Sequence, residues 1–282
     1  MDTTIELNRT GWQARLALGF EPHAGRTELV HRKHWGPLRV QRPFYPEPSG
    51  VCHVYILHPP GGVVGGDGLE LSVEVAADAH AVITTPAATK LYRSGGDTAI
   101  VQQTLRVARG ADLEWLPQET IAFSAARAQL YTRIELEAGA RYTGWEILCL
   151  GRPASNERFD AGEIQQRIEL VRDGELRYCE RGTYRAGSAL LRAPWGLQDQ
   201  PVVGTMLSAG RDLTAHLPEL REALGEVAQP AHAAISCMGE LCVARYLGPS
   251  TEQARACFAR IWQALRPLLH AQPAHPPRIW AT

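Results

Sequence analysis

The chain has 282 residues, of which 45% are hydrophobic and 21% are charged, and its 29 basic and 30 acidic side chains leave a net charge of -1. This composition is typical of a folded globular protein and argues against disorder. The even charge balance provides no broad basic field for a polyanion, so it argues against nucleic-acid binding.

The chain begins with MDTTIELNRTGW, which has neither the basic region nor the apolar region of a signal peptide. Elsewhere, no stretch approaches the ~18 uncharged apolar residues that a membrane span needs. We therefore expect a cytoplasmic protein that does not enter a membrane.

The first 185 residues or so read as short strands separated by turn signals at spacings of roughly ten to fifteen residues, a rhythm typical of an all-β body. In LELSVEV, the leucines and valines alternate with polar residues, as in a half-buried strand. The phrases ADAHA and ARGADLE resemble each other, and each closes one strand and opens the next. They predict a coiled, β-helix-like stack of sheets, although no fixed repeat period is present. The other predicted strands are WQARLALGF, VYILHP, AVITTP, VQQTLRVARG, DLEWLPQ, QLYTRIEL and RYTGWEILCL.

The pattern changes after about residue 200. VVGTMLSA predicts another strand, DLTAHLPELREALGEVA an amphipathic helix, and AAISCMGELCVARYL a hairpin that turns at Met238 and Gly239. The last helix has a capping box at Ser250 and Gln253, and Pro267 is expected to end or kink it. Its predicted apolar face comprises Cys257, Phe258, Ile261, Trp262, Leu265, Leu268 and Leu269.

Together these patterns predict a mainly β fold with about two α-helices in the C-terminal third. We expect one domain over residues 1–282, with a β-rich body over about 1–200 and an α/β section over about 201–282 that packs as part of the same unit. The six cysteines are scattered, and Cys237 and Cys242 are too far apart for a C-x-x-C hook. Without an export signal we expect reduced, buried thiols.

The glycine-rich stretch LHPPGGVVGGDG, residues 57–68, raises the question of a phosphate loop. It fits neither the Walker spacing, because Asp67 stands where lysine is required, nor the dinucleotide G-x-G-x-x-G spacing. A carboxylate among the glycines would also repel phosphate. The stretch is therefore not a nucleotide site.

Catalytic motifs are equally absent from the sequence. There is no G-x-S-x-G elbow and no H-E-x-x-H zinc motif. His58 lies near Asp67 and is a candidate metal ligand, but a hydrogen-bonded structural histidine is the alternative.

What remains is a set of carboxylates within otherwise apolar strand sequence: Asp67, Glu146 and Glu180. Each either faces solvent from the polar side of a strand or faces an internal polar space. An inward carboxylate would need water, a cation or a basic group beside it, because burying it alone costs several kcal/mol.

Several long blocks resemble the urease accessory protein UreD (UreH) family, and they cover nearly the whole chain in the right order. The blocks are GPLRVQRPFYPE (36–47), HPPGGVVGGD (58–67), TTPAATKLYRSGG (84–96), LEWLPQETIAF (113–123), WEILCLGRPASNERF (145–159) and the terminal PRIWAT. Departures are small: the family often has glycine at position 87 or 88, and aspartate where Glu146 stands.

The resemblance implies a maturation factor without catalytic activity and with a mainly β, helical-sheet fold. Such a protein is expected to dock on apo-urease and to bind the partner UreF, which recruits the GTPase UreG. It is also expected to bind no cofactor tightly and to pass nickel(II) transiently through a water-filled interior. The alternative is a pure interaction scaffold that opens apo-urease without conducting nickel.

By resemblance, Asp67, Thr89, Glu146 and Glu180 are the expected stations along that nickel path. Sparse carboxylate and hydroxyl ligands suit transit, because a cage of histidines and thiolates would trap the ion. For Asp67 a second interpretation stays open, namely that it closes a D-G turn between two strands.

Overall fold

The computed structural model describes residues 11–281; the first ten residues, which carry most of the signal-peptide argument, lie outside that range. Within it, the chain forms two β-sheets and three α-helices. The strands are β1 (Gln13–His23), β2 (Arg26–Trp35), β3 (Arg39–Val40), β4 (Cys52–Leu57), β5 (Gly68–Val75), β6 (His80–Thr84), β7 (Thr89–Leu91), β8 (Ala99–Val107), β9 (Asp112–Leu116), β10 (Thr120–Ala122), β11 (Arg127–Leu136), β12 (Arg141–Arg152), β13 (Glu157–Arg158), β14 (Glu163–Arg172), β15 (Glu175–Arg185), β16 (Val202–Ala209), β17 (His232–Met238) and β18 (Leu241–Gly248). The helices are α1 (Ala189–Arg192), α2 (Leu217–Leu224) and α3 (Thr251–His270).

The chain coils by alternating between the two sheets. The first sheet has the order β15-β14-β11-β8-β5-β1-β2, and the second is built on the path β17-β18-β16-β12-β9-β6-β4-β3. Successive strands β5, β6, β8, β9, β11 and β12 therefore fall in the two sheets in turn. Neighbours within each sheet pair in parallel through this part of the chain, as β5 with β8 and β6 with β9. The predicted β-helix-like stack is confirmed.

A repeated four-residue turn connects β5 to β6, β8 to β9 and β11 to β12, each time leading from the first sheet to the second. Backbone hydrogen bonds close these turns from Ala79 N to Ala76 O (3.1 Å), from Ala111 N to Ala108 O (3.0 Å) and from Ala140 N to Glu137 O (3.0 Å). The third position of each turn is left-handed, with φ of 62° at Asp78, 71° at Gly110 and 76° at Gly139. This shared geometry is the physical reason that ADAHA and ARGADLE resemble each other.

The second sheet is covered on both faces. One face packs against the first sheet and forms the larger apolar core, which includes Leu16, Leu71, Leu113 and Leu148. The opposite face packs against α2 and α3 and forms a second core around Trp145, Phe258 and Trp262. The molecule is thus a three-layer arrangement of sheet, sheet and helices.

The terminal helix forms largely as its sequence predicts. Ser250 caps it, with its hydroxyl oxygen accepting from Gln253 N at 3.2 Å. All of the predicted apolar face is buried except Leu268, which is half-buried. Pro267 does not end the helix, which continues to His270. No helix in the described range combines the length and apolarity needed to cross a membrane.

The cysteine expectation is partly wrong. Cys237 and Cys242 lie opposite each other on β17 and β18 and form a disulfide, since the hairpin between them brings their Cα atoms to 4.0 Å. Sequence spacing judged against C-x-x-C could not show this cross-strand pairing. Cys52, Cys149 and Cys257 are free and buried as expected, whereas Cys179 is free but exposed.

Candidate functional site

The glycine-rich stretch forms a tight turn that Asp67 closes. Asp67 N donates to Val64 O at 3.1 Å, and the side chain accepts from Val64 N at 2.9 Å and from Trp12 N at 2.8 Å. Gly66 has φ of +88°, a left-handed conformation that suits glycine. Both oxygens of Asp67 therefore have backbone donors, and the turn fixes the start of β5 beside β1.

His58 lies close enough to Asp67 for the carboxylate to interact electrostatically with the imidazole. Burial lowers the pKa of His58, and the carboxylate of Asp67 opposes that shift. Neither residue lines the inter-sheet cavity that contains Glu146. The structure thus separates Asp67 and His58 from the other candidate residues, and their roles as nickel ligands stay predictions.

Thr89 and Glu146, by contrast, meet at one cavity of ≈ 100 Å³ between the two sheets. Thr89 reaches it from β7, which pairs with β10, and β10 in turn pairs with β12, the strand that carries Glu146. The polar lining consists of Thr85, Thr89, Gln102, Gln103, Gln118, Thr120, Glu146 and Gln166, and the rest is apolar apart from backbone and ring nitrogens.

Glu146 is half-buried and receives only neutral donors. Its oxygens accept from the Thr132 hydroxyl and from Gln166 Nε2, the latter at 2.8 Å. Burial raises the pKa of Glu146, the two hydrogen bonds oppose this shift, and the charge of Glu180 adds to it. A carboxylate in this setting attracts a cation, because its donors within residues 11–281 are an uncharged hydroxyl and an uncharged amide.

Glu180 lies further along the same interior, near the edge of the sheets. Its Oε1 accepts from Thr205 Oγ1 at 3.0 Å, and its Oε2 accepts from the Tyr178 hydroxyl and from Arg245 Nη2, the latter at 2.8 Å. Arg245 is well exposed, with 59% of its side chain accessible. Glu180 is therefore reached from the outside past Arg245.

Thr205 connects the two glutamates. It is the direct cross-strand partner of Glu146 on β16, and its hydroxyl donates to Glu180. Burial raises the pKa of Tyr184 to about 12, and the charges of both Glu180 and Glu146 add to this rise. Both carboxylates thus act on one buried ring, which places them within one electrostatic neighbourhood.

These residues belong to a line of polar side chains that we call the inter-sheet polar strip. It comprises Gln103, Thr132, Glu146, Gln166, Glu180 and Thr205. All of them except Glu180 occupy strand positions whose neighbours two residues away are mostly apolar and pack in the core, as Leu130 and Ile134 flank Thr132. The register aligns several of them, pairing Gln103 with Thr132 and Glu146 with Thr205.

Sequence reasoning found Glu146 and Glu180 but missed the other four members of the strip. In sequence, these residues are marked only as single polar residues at positions where the alternating pattern of a strand is otherwise apolar. Examples are Thr132 in RAQLYTRIEL and Thr205 in VVGTMLSA. Uncharged polar residues are common in strands, so the signal gains meaning only once the register places these side chains together.

A second cluster of buried polar residues lies on the opposite face of the second sheet, beneath α3; we call it the helix-side charge network. It comprises Glu47, His53, His80, Asp112, Glu114, Arg141, Arg266 and His270. Its centre is Arg266, fully buried, which donates to Glu47 at 2.7 Å and to Glu114 at 3.0 Å. Sequence reasoning missed this network entirely, because its members are distant in sequence and follow no motif spacing.

The carboxylates of the network are strongly compensated. Burial acts to raise the pKa of Glu114, but the hydrogen bond and charge of His80 and the charges of His270 and Arg266 hold it well below its usual range. Burial also acts to raise the pKa of Glu47. The hydrogen bonds from His53 and Arg266 outweigh that effect, so the pKa is lowered. Ion pairing thus keeps these groups charged in the interior.

A family model described as "UreD urease accessory protein" matches residues 13–281. The chain is 46% identical over 271 residues to the urease accessory protein UreD of Janthinobacterium sp. (strain Marseille), covering 96% of this chain and 92% of the relative. It is 44% identical over 273 residues to the urease accessory protein UreD of Azoarcus sp. (strain BH72), covering 96% and 95% respectively.

Proposed function

The chain belongs to the UreD family of urease accessory proteins, and we propose that it matures urease by docking on the apo-enzyme and guiding nickel(II) along the inter-sheet polar strip. In this proposal the chain binds UreF, and through it the GTPase UreG, and performs no catalysis itself. Nickel is its cargo rather than a resident cofactor.

The observation that carries the proposal is the placement of Thr89, Glu146, Thr205 and Glu180 in one interior region. Thr89 and Glu146 line the same cavity, and Thr205 links Glu146 to Glu180 through its register and hydrogen bond. Most of the surrounding core is apolar, so the oxygen ligands form the polar route through it.

The electrostatics of the strip support transit rather than storage. A dication loses much hydration energy in a low-dielectric interior, and each carboxylate offsets part of that loss. Glu146 has only neutral donors, so a cation is free to approach it. Two carboxylates and intervening hydroxyls also bind Ni²⁺ less firmly than a set of imidazoles and thiolates, which favours release.

Arg245 beside Glu180 suits an entrance or exit. Its guanidinium is exposed and its bond to Glu180 lies near the edge of the sheets, so the side chain is able to swing outward into water. Nickel approaching Glu180 would replace Arg245 as the counter-ion, and the return of Arg245 would help to release it.

The test is co-expression of apo-urease, UreF and UreG with wild-type chain, Glu146→Gln or Glu180→Gln, followed by pull-down and by counting nickel per urease active site. We expect both variants to co-purify with the partners while nickel content falls several-fold. Glu70→Gln is the matched control, because Glu70 is exposed on the outer face of the first sheet and pairs with Arg15.

Unchanged nickel content in both variants would favour a pure scaffold that opens apo-urease without conducting nickel. Loss of co-purification would instead show that these glutamates support the fold or the interface. The two failures are distinguishable because the pull-down and the nickel count are read from the same sample.

A further inference from the structure

The helix-side charge network contains a compact group of metal-ligand side chains. His80 from β6, Glu114 from β9 and His270 at the end of α3 each place one ligand atom within 4.8 Å of the others. Their side chains are 11%, 0% and 1% exposed, respectively. Three separate elements therefore converge on one enclosed point between the second sheet and α3.

Asp112 lies beside both histidines. Its Oδ1 lies 3.2 Å from His270 Nδ1, and its Oδ2 lies 3.9 Å from His80 Nδ1; these are ion-pair separations rather than aligned hydrogen bonds. The ring centroids of the two histidines are 4.9 Å apart.

Neither ring nitrogen of His270 has a hydrogen-bond partner within the described part of the chain, although both atoms are buried. Such a nitrogen is unfavourable, because it has lost its hydrogen bonds to water without gaining others. His80 Nε2 lies 2.6 Å from Glu114 Oε1, and His270 places a ligand atom within 4.8 Å of one ligand atom on each of these residues.

The network's three carboxylates are those of Glu47, Asp112 and Glu114, and its two guanidiniums are those of Arg141 and Arg266. Arg266 does not fill the open position beside His270, since it is engaged by Glu114, by Glu47 and by Pro273 O at 2.5 Å.

We propose that His80, Glu114 and His270 bind a divalent first-row transition-metal ion, of the class of Zn²⁺ or Ni²⁺, that fastens the end of α3 to the second sheet. Two imidazoles and a carboxylate are a common donor set for these ions. This site is static and lies on the other face of the sheet from the inter-sheet polar strip, so it goes beyond the proposed nickel transit.

The experiment uses the full-length chain carrying Glu146→Gln and Glu180→Gln, which removes the strip's carboxylates as competing ligands. Zn²⁺ and Ni²⁺ are each titrated alone against a chromophoric chelator at neutral pH. We expect one tight equivalent in this background, a loss of at least tenfold in affinity with added His270→Gln, and no loss with added His216→Gln. His216 is the matched control because it lies at the start of α2, away from the network, and is exposed.

X-ray absorption of the one-equivalent complex supplies a readout that does not depend on mutant folding. Imidazole scattering from two histidine ligands is expected in the unsubstituted chain. Absence of a tight equivalent, or an affinity that His270→Gln leaves unchanged, would overturn the proposal. Because the metal is measured without urease, failure here leaves the nickel-transit test unaffected.

Discussion

The two faces of the second sheet both hold carboxylates away from water, but they compensate them in opposite ways. Toward the first sheet, Glu146 receives only a hydroxyl and an amide, and burial raises its pKa. Toward α3, Glu47 and Glu114 receive a guanidinium and histidines, and their pKa values are lowered. A carboxylate already matched by fixed cations serves the fold, whereas one matched only by neutral donors remains available for a mobile cation.

The difference between the two faces is tested first at Arg266, because the carboxylates that it contacts are the most strongly compensated by positive charge. Arg266→Met removes the cation shared by Glu47 and Glu114, both buried, while keeping much of the apolar stem. Leaving buried carboxylates without their partner costs about 3–5 kcal/mol, so we expect the free energy of unfolding to fall by that amount. Equilibrium unfolding in urea measures it.

The control is Arg260→Met on the same helix. Arg260 is exposed, and its guanidinium donates to the carbonyl of Leu224 at 2.7 Å rather than to a buried carboxylate. We expect a loss of about 1 kcal/mol or less. Equal losses for the two variants would mean that the buried ion pairs contribute nothing specific to stability.

The second prediction compares the same substitution on the two faces. At pH 7, Glu47→Gln takes the charge from a carboxylate that Arg266 and His53 both contact, so we expect a loss of about 2 kcal/mol in unfolding free energy. Glu146→Gln faces a hydroxyl and an amide, which can reverse donor and acceptor roles, so we expect a change within about 1 kcal/mol of zero. Comparable losses would remove the distinction between the faces.

The pH dependence of these variants should have opposite signs. Because the folded pKa of Glu47 is lowered, its stabilisation is present above the ordinary carboxyl pKa of about 4.3 and is lost as pH falls below it. The deficit of Glu47→Gln should therefore shrink on acidification.

The pKa of Glu146 is raised in the fold, so ionising it costs stability as pH rises from about 4.3 through its folded value. Glu146→Gln lacks that cost, and its stability relative to wild type should increase over the same rise in pH. Urea unfolding from about pH 2.5 to 7, in buffer with a chelator, covers both windows and gives both profiles. Parallel profiles would contradict the opposite shifts.

The two regions also differ in how far sequence could predict them. Alternation in strands such as LELSVEV and the repeated turn phrases predicted the coiled sheets, because these signals are local and periodic. Glu146 and Glu180 were identified through family blocks, but Thr205 and Gln166 required the register between strands.

The helix-side charge network had no sequence signal of either kind. Glu47, Glu114 and Arg266 come from a loop, a strand and a helix up to 219 positions apart. Only packing α3 on the second sheet brings them together, and the same packing decides that Pro267 is tolerated within the helix. Local rules cannot predict contacts that depend on docking of distant elements.

The smallest expected effect is that of Thr205→Val, which should lower the nickel content of urease while hardly changing the stability of the chain. Thr205→Val preserves shape but removes the hydroxyl that donates to Glu180 at 3.0 Å. Glu180 keeps Tyr178 and Arg245 as donors, so unfolding free energy should change by about 1 kcal/mol or less. Nickel in co-expressed urease should nevertheless fall, though by less than with Glu180→Gln, because the hydroxyl supplies an oxygen between two carboxylate stations.

Thr183→Val, on the exposed side of β15, should leave nickel content at the wild-type value. If Thr205→Val also leaves it unchanged while Glu180→Gln lowers it, nickel passes between Glu180 and Glu146 without using the Thr205 hydroxyl as a ligand.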